Sequence, residues 1–352
     1  MTVTLHNGDC LEILPTLESD SIDLIVTDPP YNGVKDAEWD NQWESDGAYL
    51  EWLDSVLAEY SRVLRFNGSL YIFASPKMAA RVEVLVGGRF NVLNNIVWVK
   101  PDPSSEINNG AGRGGQSCKE ALRKWFPLQE RIIFAEHYNS DNAAKGEAGY
   151  NAKCDKLCGF VFEPLRAWFL KSWNDSGLSR RQVDDACGSS NVTQYWFLER
   201  NYQIPTQQRY DVLQQLAPQE FKREYEDLRR EYEDLRRPFS VSKDVPYTDV
   251  WTFDTVQGYK GKHPCEKPYA LIEHIITASS RPGAVVLDSF AGSGVTGEVA
   301  ERLGRDSVLV ERDTHWYYAA LERTNMAQQN GTARKVDSDV KDLPMFKGHD
   351  NA

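Results

Sequence analysis

IDLIVTDPPYN, residues 22–32, is the stretch on which the fold turns. Ile22 to Thr27 is an almost unbroken apolar run, the pattern of a strand buried on both faces inside a parallel sheet rather than of one with a wet side. The run stops at Asp28, and Pro29 and Pro30 cannot donate to a continuing ladder. Open α/β sheets bind ligands just beyond the carboxyl ends of their strands. Asp28, Pro29, Pro30 and Tyr31 stand at that place. A carboxylate and the Pro29 carbonyl can both accept from one amino group, and Tyr31 offers a flat ring, so the four suit a planar substrate with an exocyclic NH2. Alone, the tetrapeptide would mean no more than an Asp-Pro turn after a strand.

Working outward, residues 49–64 place Leu50, Leu53, Leu57 and Leu64 at helical spacing, and Asn67 with Gly68 is expected to end that helix. SLYIFA (69–74), NVLNNIVWVK (91–100) and LQERIIFA (128–135) read as further strands. The pattern breaks near 139–150 and resumes with a helix at 268–279, the strand AVVLDSF, the loop AGSG, a helix at about 296–303 and the strand SVLVE. The expectation is one α/β domain split by a helical insertion: 1–140 and 245–328 form the domain, 141–244 the insertion, and 329–352 a polar tail.

The second half of that domain carries its own signal. DSFAGSG, 288–294, follows a strand and opens a helix, so Gly292 and Gly294 would let the backbone approach a ligand while the helix start offers N–H donors. Glu311 ends the next strand, where an acid can grip ribose hydroxyls. A dinucleotide fits the same spacing and ranks lower.

Composition narrows the classes. The net charge is −12 over 352 residues, which argues against a nonspecific polyanion coat and leaves DNA affinity to local surfaces. Arg113, Lys119, Arg123, Lys124 and Arg131 form one such stretch beside NNGAGRGG, with only Glu120 and Glu130 as acids; a solvated loop is the bland alternative. The six cysteines have no CxxC spacing, and Cys154 with Cys158 lacks a second ligand pair, so free thiols and no metal are expected. No apolar run is long enough for a membrane span, and residues 1–10 do not read as a signal peptide.

With DPPY first, a variable segment next and FxGxG last, the chain resembles the β group of DNA amino-methyltransferases and is similar to phage- and prophage-encoded DNA adenine methyltransferases. The resemblance covers roughly residues 3–325, including NGDC around Asp9, RVLRFNGSLYIF after DPPY, and HPCEKPYALIEHII before FxGxG. It implies a Rossmann-like S-adenosylmethionine-dependent methyltransferase fold with a helical target-recognition insertion, in the cytoplasm of a bacterium or a phage-infected host. The implied reaction moves the methyl group of S-adenosylmethionine to N6 of an adenine flipped out of DNA. Carried over by position, Asp28, Pro29, Pro30 and Tyr31 are catalytic. Asp9, His263, Lys267, Asp288, Phe290, Ala291, Gly292, Ser293, Gly294 and Glu311 line the cofactor, His263 and Lys267 at its methionine end.

The alternatives are N4-cytosine methylation, whose family members more often carry Ser at the position of Asp28, and a noncatalytic DNA-binding regulator on the same fold. Intact Asp28, Tyr31, Gly292 and Gly294 weigh against the regulator.

In the insertion, residues 178–197 resemble the helix-turn-helix of phage repressors, with Ser179 and Gln182 as a capping box, Val183 and Ala186 on one apolar face, and Val192 and Trp196 inward. That register makes Arg180, Asn191, Gln194 and Tyr195 DNA-facing, beside Arg113, Arg123 and Lys124 in the basic stretch. A purely structural helical pair stands level with it. REYEDLR occurs twice, at 223–229 and 230–236, placing Tyr225, Leu228, Tyr232 and Leu235 on one seam that packs within the chain or across a homodimer.

Overall fold

A computed structural model of the chain describes residues 1–34, 38–100, 127–137, 162–190, 192–196, 203–241 and 248–324. It divides into two units: residues 1–65, 69–135 and 239–352, and residues 66–68 with 136–238.

The first unit is built on a sheet of eight strands: β1 (Val3–Asn7), β2 (Ile22–Thr27), β3 (Leu64–Ala74), β4 (Asn91–Val99), β5 (Gln129–Glu136), β6 (Val250–Thr252), β7 (Val285–Asp288) and β8 (Asp306–Glu311). Their spatial order is β1-β8-β7-β2-β3-β5-β4-β6. Pairs β1/β8, β8/β7, β7/β2 and β2/β3 are all parallel. The carboxyl ends of β1, β8, β7, β2 and β3 therefore share one edge. From β2 the chain moves outward to β3, whereas from β7 it moves the other way to β8. The switch between the two directions lies between β2 and β7, and crevices form at such points.

Both sheet faces are covered, which is why β2 lacks a polar face. Ile25, Leu70, Ile72, Ile133 and Ala135 meet α2 (Asp46–Val63) and α3 (Ala79–Gly87) on one side. Leu24, Val26, Tyr71, Phe73, Ile132 and Phe134 meet α8 (Tyr269–Ser279) and α9 (Val295–Arg302) on the other. Each fully buried Leu or Ile contributes about 1.5–3 kcal/mol to holding the layers together. Short α1 (Cys10–Ile13) and α10 (Thr314–Arg323) complete the unit.

One boundary differs from the sequence expectation. Asn67 and Gly68 do not end α2; it stops at Val63 and Leu64 is already strand. Ile22 pairs with Leu64 and Leu24 with Ser69, so β2 advances two residues while β3 advances five. Residues 65–68 are a bulge, and Gly68 serves the kinked strand rather than a helix end.

The second unit is helical: α4 (Glu163–Ser176), α5 (Arg180–Ala186), α6 (Gln207–Leu216) and α7 (Tyr225–Leu235) enclose Leu165, Phe169, Tyr210, Leu213, Phe221 and Leu228. The capping box forms at Ser179 and Gln182, and Gly188 adopts φ +66° after the helix. Val183, Val192 and Trp196 are buried as the spacing predicts, but Ala186 is exposed, because Cys187 takes the inward position. Where a helix-turn-helix places its second helix, the described residues Val192–Trp196 form a 3-10 segment, tied back to α5 by the Thr193 N–H donating to Asp184 Oδ1 at 3.2 Å. Arg180 is exposed at the start of α5. Asn191 and the side chains of Gln194 and Tyr195 lie outside the described residues, as do Arg113, Arg123 and Lys124. The repeat seam packs inside this unit: Leu228 is fully buried, Tyr225 and Leu235 pack on the same cluster, and Tyr232 stacks on Phe162 at 5.0 Å.

Candidate active site

The crevice between the ends of β2 and β7 opens into a cavity of about 810 Å³ lined by residues of both motif halves. Hydroxyls fasten its floor. Thr27 donates to Asp288 Oδ1 at 3.4 Å, and the Tyr60 hydroxyl from α2 pairs with Ser289 and reaches Thr27 Oγ1 at 3.3 Å. The loop that carries Tyr31 is held by Asp40, which sequence reasoning missed. Tyr31 and Asn32 N–H groups donate to Asp40 Oδ1 at 2.6 and 3.0 Å, and Val34 N–H donates to Oδ2 at 2.7 Å. Wrapping three donors of one turn around a single buried carboxylate requires a reversal, and Asn32 supplies it at φ +58°.

Asp28 faces an ammonium brought from the far end of the sequence. Lys267 Nζ donates to Asp28 Oδ2, lies 3.5 Å from Glu130 Oε2, and is itself only 7% exposed. Glu130, at the start of β5, accepts from the Tyr31 hydroxyl at 3.1 Å and pairs with Lys100. Asp28 Oδ1 is buried and has no hydrogen-bond partner among the described residues. Burial raises the Asp28 pKa and Glu130 adds to the rise, opposed by Lys267 and the Tyr31 hydroxyl. The cluster thus holds two carboxylates and two ammonium groups, with one buried carboxylate oxygen unpartnered among the described residues, and Asp28 lines the cavity together with Phe73, Trp98 and Ile272.

On the β7 side, Gly292 N–H donates to Glu311 Oε2 at 2.7 Å and Asp313 N–H donates to Oε1 at 2.7 Å. Both oxygens keep lone pairs for ligand hydroxyls, and burial raises this carboxyl's pKa. Asp9 caps α1 by accepting from Leu11 N–H at 2.9 Å, and both acids line the cavity. Phe290, Ala291, Gly292, Ser293 and His263 line it too, with the His263 ring edge-on to Trp316 at 4.5 Å. A Cβ at Gly292 would stand 3.2 Å from that imidazole, so the missing side chain is what lets His263 seat against the loop. These groups fit the two ends of S-adenosylmethionine: acids for its ribose and adenine, backbone and aromatic surface for the remainder. Lys267, placed by resemblance at the methionine end, lines this cavity and is buried against the Asp28 carboxylate.

Two residues take structural roles that their sequence reading did not include. A Cβ at Gly294 would lie 2.8 Å from Ala320 Cβ, so this glycine clears α10 rather than a ligand, and it is absent from the cavity wall. Gly297, likewise against Leu309 and Thr324, completes a G-x-G-x-x-G spacing with Gly292 and Gly294.

Asp288 is the other. It lines the cavity, yet Thr296 Oγ1 donates to its Oδ2 at 2.6 Å and Phe290 N–H to its Oδ1 at 3.1 Å, so it braces the loop. Burial pushes this carboxyl up to about 7, above an unfolded value near ~4. A raised folded pKa means the folded state keeps a proton the unfolded chain has lost, so stability falls as pH rises from about 4 to about 7 and levels beyond. Asp288→Asn is expected to remove that slope. The variant should melt higher than wild type at pH 8 by an amount that shrinks toward pH 5, in paired thermal scans; equal pH profiles would show that Asp288 ionises normally.

The DNA methylase family pattern matches residues 22–322. The chain belongs to that family. Among relatives of this DNA methylase, the DNA adenine methyltransferase YhdJ of Escherichia coli K12 is 28% identical over 330 residues, covering 92% of this chain and 83% of YhdJ. The PvuII DNA methyltransferase, cytosine-N4-specific, shares the fold at TM-score 0.50 and 15% identity over 92% of this chain and 86% of that one. A putative DNA modification methylase from Thermus thermophilus, solved with S-adenosyl-L-methionine, aligns at TM-score 0.48 and 20% identity over 94% and 97%. The architecture of the first unit is that of S-adenosylmethionine-dependent methyltransferases, and no described helix is long and apolar enough to cross a membrane. Among the described residues no cluster of His, Cys, Asp and Glu could hold a metal ion.

Proposed function

We propose that this DNA methylase transfers a methyl group to N6 of adenine in DNA, with the base flipped into the cavity beside Tyr31. The observation that carries the reading is the buried Asp28 Oδ1, without a hydrogen-bond partner among the described residues, in a residue that lines the same cavity as the Gly292 loop and Glu311. An acceptor left open in a buried site costs free energy unless a ligand donor fills it, and an exocyclic amino group is such a donor.

When bound, S-adenosylmethionine supplies a methyl group activated by a sulfonium. Glu311 and Asp9 would hold its ribose and adenine end, and Phe290 to Gly292 with His263 the rest. Asp28 Oδ1 accepts a hydrogen bond from one amino N–H and the Pro29 carbonyl from the other, which turns the nitrogen lone pair out of the base plane, and the proton that the methylated amine sheds leaves to solvent. Tyr31 stacks on the base. The protein mainly aligns the reactants and stabilises charge developing on the amine, a contribution of up to ~7–11 kcal/mol from positioning alone. Because no covalent enzyme intermediate is needed, no cysteine takes part. We assign target recognition to the helical unit and phosphate contact to the stretch containing Arg113, Arg123 and Lys124.

Unmethylated DNA incubated with the protein and labelled S-adenosylmethionine, then digested to nucleosides for mass spectrometry, should yield N6-methyldeoxyadenosine. N4-methyldeoxycytidine as the sole product would replace adenine by cytosine while leaving the pocket assignment standing.

A further inference from the structure

Two acceptors compete for two donors in the Asp28 cluster, and the outcome decides whether the amine has a place to bind. Of the four carboxylate oxygens of Asp28 and Glu130, three are engaged. Glu130 Oε1 holds Lys100, Glu130 Oε2 holds the Tyr31 hydroxyl and faces Lys267, and Asp28 Oδ2 holds Lys267. The fourth, Asp28 Oδ1, is buried and has no hydrogen-bond partner among the described residues. The Tyr31 hydroxyl has a single proton to give and interacts with both carboxylates.

We propose that Glu130 is a positioning residue for methyl transfer: it draws the Tyr31 hydroxyl and part of the Lys267 charge onto itself so that Asp28 Oδ1 stays open to the target amino group. This rests on the assignment of Asp28 as the amine's acceptor. Without Glu130, the buried Tyr31 hydroxyl loses its acceptor, which is costly in a buried site, and Asp28 Oδ1 is the acceptor it turns to. The variant then inhibits itself, with its own tyrosine where substrate should be. Glu130 also tethers the edge of the Tyr31 ring to β5, while Asp40 holds the same residue's backbone. The carboxylate reaches its place only because β5 lies between β3 and β4, one strand beyond the one that follows DPPY.

The groups bearing on Asp28 are Lys267, Glu130 and Tyr31 at contact, Asp288 from the end of β7, and Tyr49 from α2. Glu130 raises the Asp28 pKa, so deleting its charge lowers that pKa. The acid limb of kcat/KM, which follows Asp28 ionisation, then moves to lower pH even as the plateau drops.

The test uses wild type, Glu130→Ala, Glu130→Gln, and each Glu130 variant combined with Tyr31→Phe, assayed on DNA across pH, with S-adenosylmethionine affinity by calorimetry. Glu130→Ala should lower kcat by roughly 10²-fold at unchanged cofactor affinity, with the acid limb shifted down. Adding Tyr31→Phe should then raise kcat at least ~tenfold above Glu130→Ala, because phenylalanine keeps the stacking ring and removes the blocking hydroxyl. A double variant no faster than Glu130→Ala, or an unmoved limb, overturns the proposal. If Glu130→Ala does not fold, Glu130→Gln decides by the limb alone. Full transfer by Asp28→Ala would sink the underlying assignment instead, which keeps the two failures apart.

Discussion

Asp28→Ala is expected to lower kcat by at least ~10³-fold while S-adenosylmethionine binds within about threefold of wild-type affinity. Removing one preorganised group aimed at developing charge costs ~10²–10³ in rate, and Asp28 also orients the amine, so its loss exceeds that of an auxiliary donor. The cofactor should remain bound, because the groups assigned to it, at the ends of β1, β7 and β8 and at His263, do not include Asp28. Deleting one partner of a buried pair is destabilising by ~3–5 kcal/mol when the other charge is stranded. Here Glu130 lies 3.5 Å from Lys267 and stays in place, so the variant should fold. Stopped-flow or single-turnover assays report kcat, and calorimetry reports binding. Transfer within tenfold of wild type would show that Asp28 Oδ1 is not the amine's acceptor.

What the sequence made legible was whatever a short contiguous pattern can carry. IDLIVTDPPYN announced a doubly buried strand and the ligand-facing residues after it, and DSFAGSG with Glu311 announced the opposite wall, because strand, turn and helix start are local features. Residues that act by convergence were not legible. Glu130 reads as one of two acids in a basic stretch, yet sheet order sets it against Tyr31 and Lys267. Asp40 looks like any acid between tryptophans until the chain folds three N–H groups around it. The helix end misplaced to Asn67 has the same cause: a bulge is visible only against its partner strand, here the step from Ile22–Leu64 to Leu24–Ser69. The REYEDLR seam, legible as a stripe, gave no sign of whether it faced the chain itself or a second copy; the helical cluster around Leu228 covers it.

Gly294→Val is expected to abolish cofactor binding by displacing the loop, not by filling the ligand's space, and the two routes leave different traces. The residue sits at φ +78°, where a side chain costs about 1–2 kcal/mol and a β-branched one more. Its Cβ would lie 2.8 Å from Ala320 Cβ and 2.9 Å from Ala320 Cα, and a helix backbone cannot step aside as a flexible side chain can. The helix is also pinned at this point. Arg323 donates to Glu266 Oε1 and Ser293 Oγ, each at 3.0 Å, and to Glu298 at 2.6 Å, so a shift of α10 breaks the contacts that hold the loop against the segment bearing Lys267. Overpacking adds ~1–3 kcal/mol to the backbone strain, and a domain of this size should lose roughly 2–4 °C per kcal/mol. The expected result is therefore a melting temperature lower by about 5–15 °C together with lost calorimetric binding. Gly294→Ala should show a milder form, and Ala320→Gly in that background should restore part of the melting temperature, since it removes the Cβ–Cβ collision and leaves the contact with the helix backbone and the φ penalty. A Gly294→Val protein that melts like wild type yet fails to bind S-adenosylmethionine would return this glycine to the ligand face.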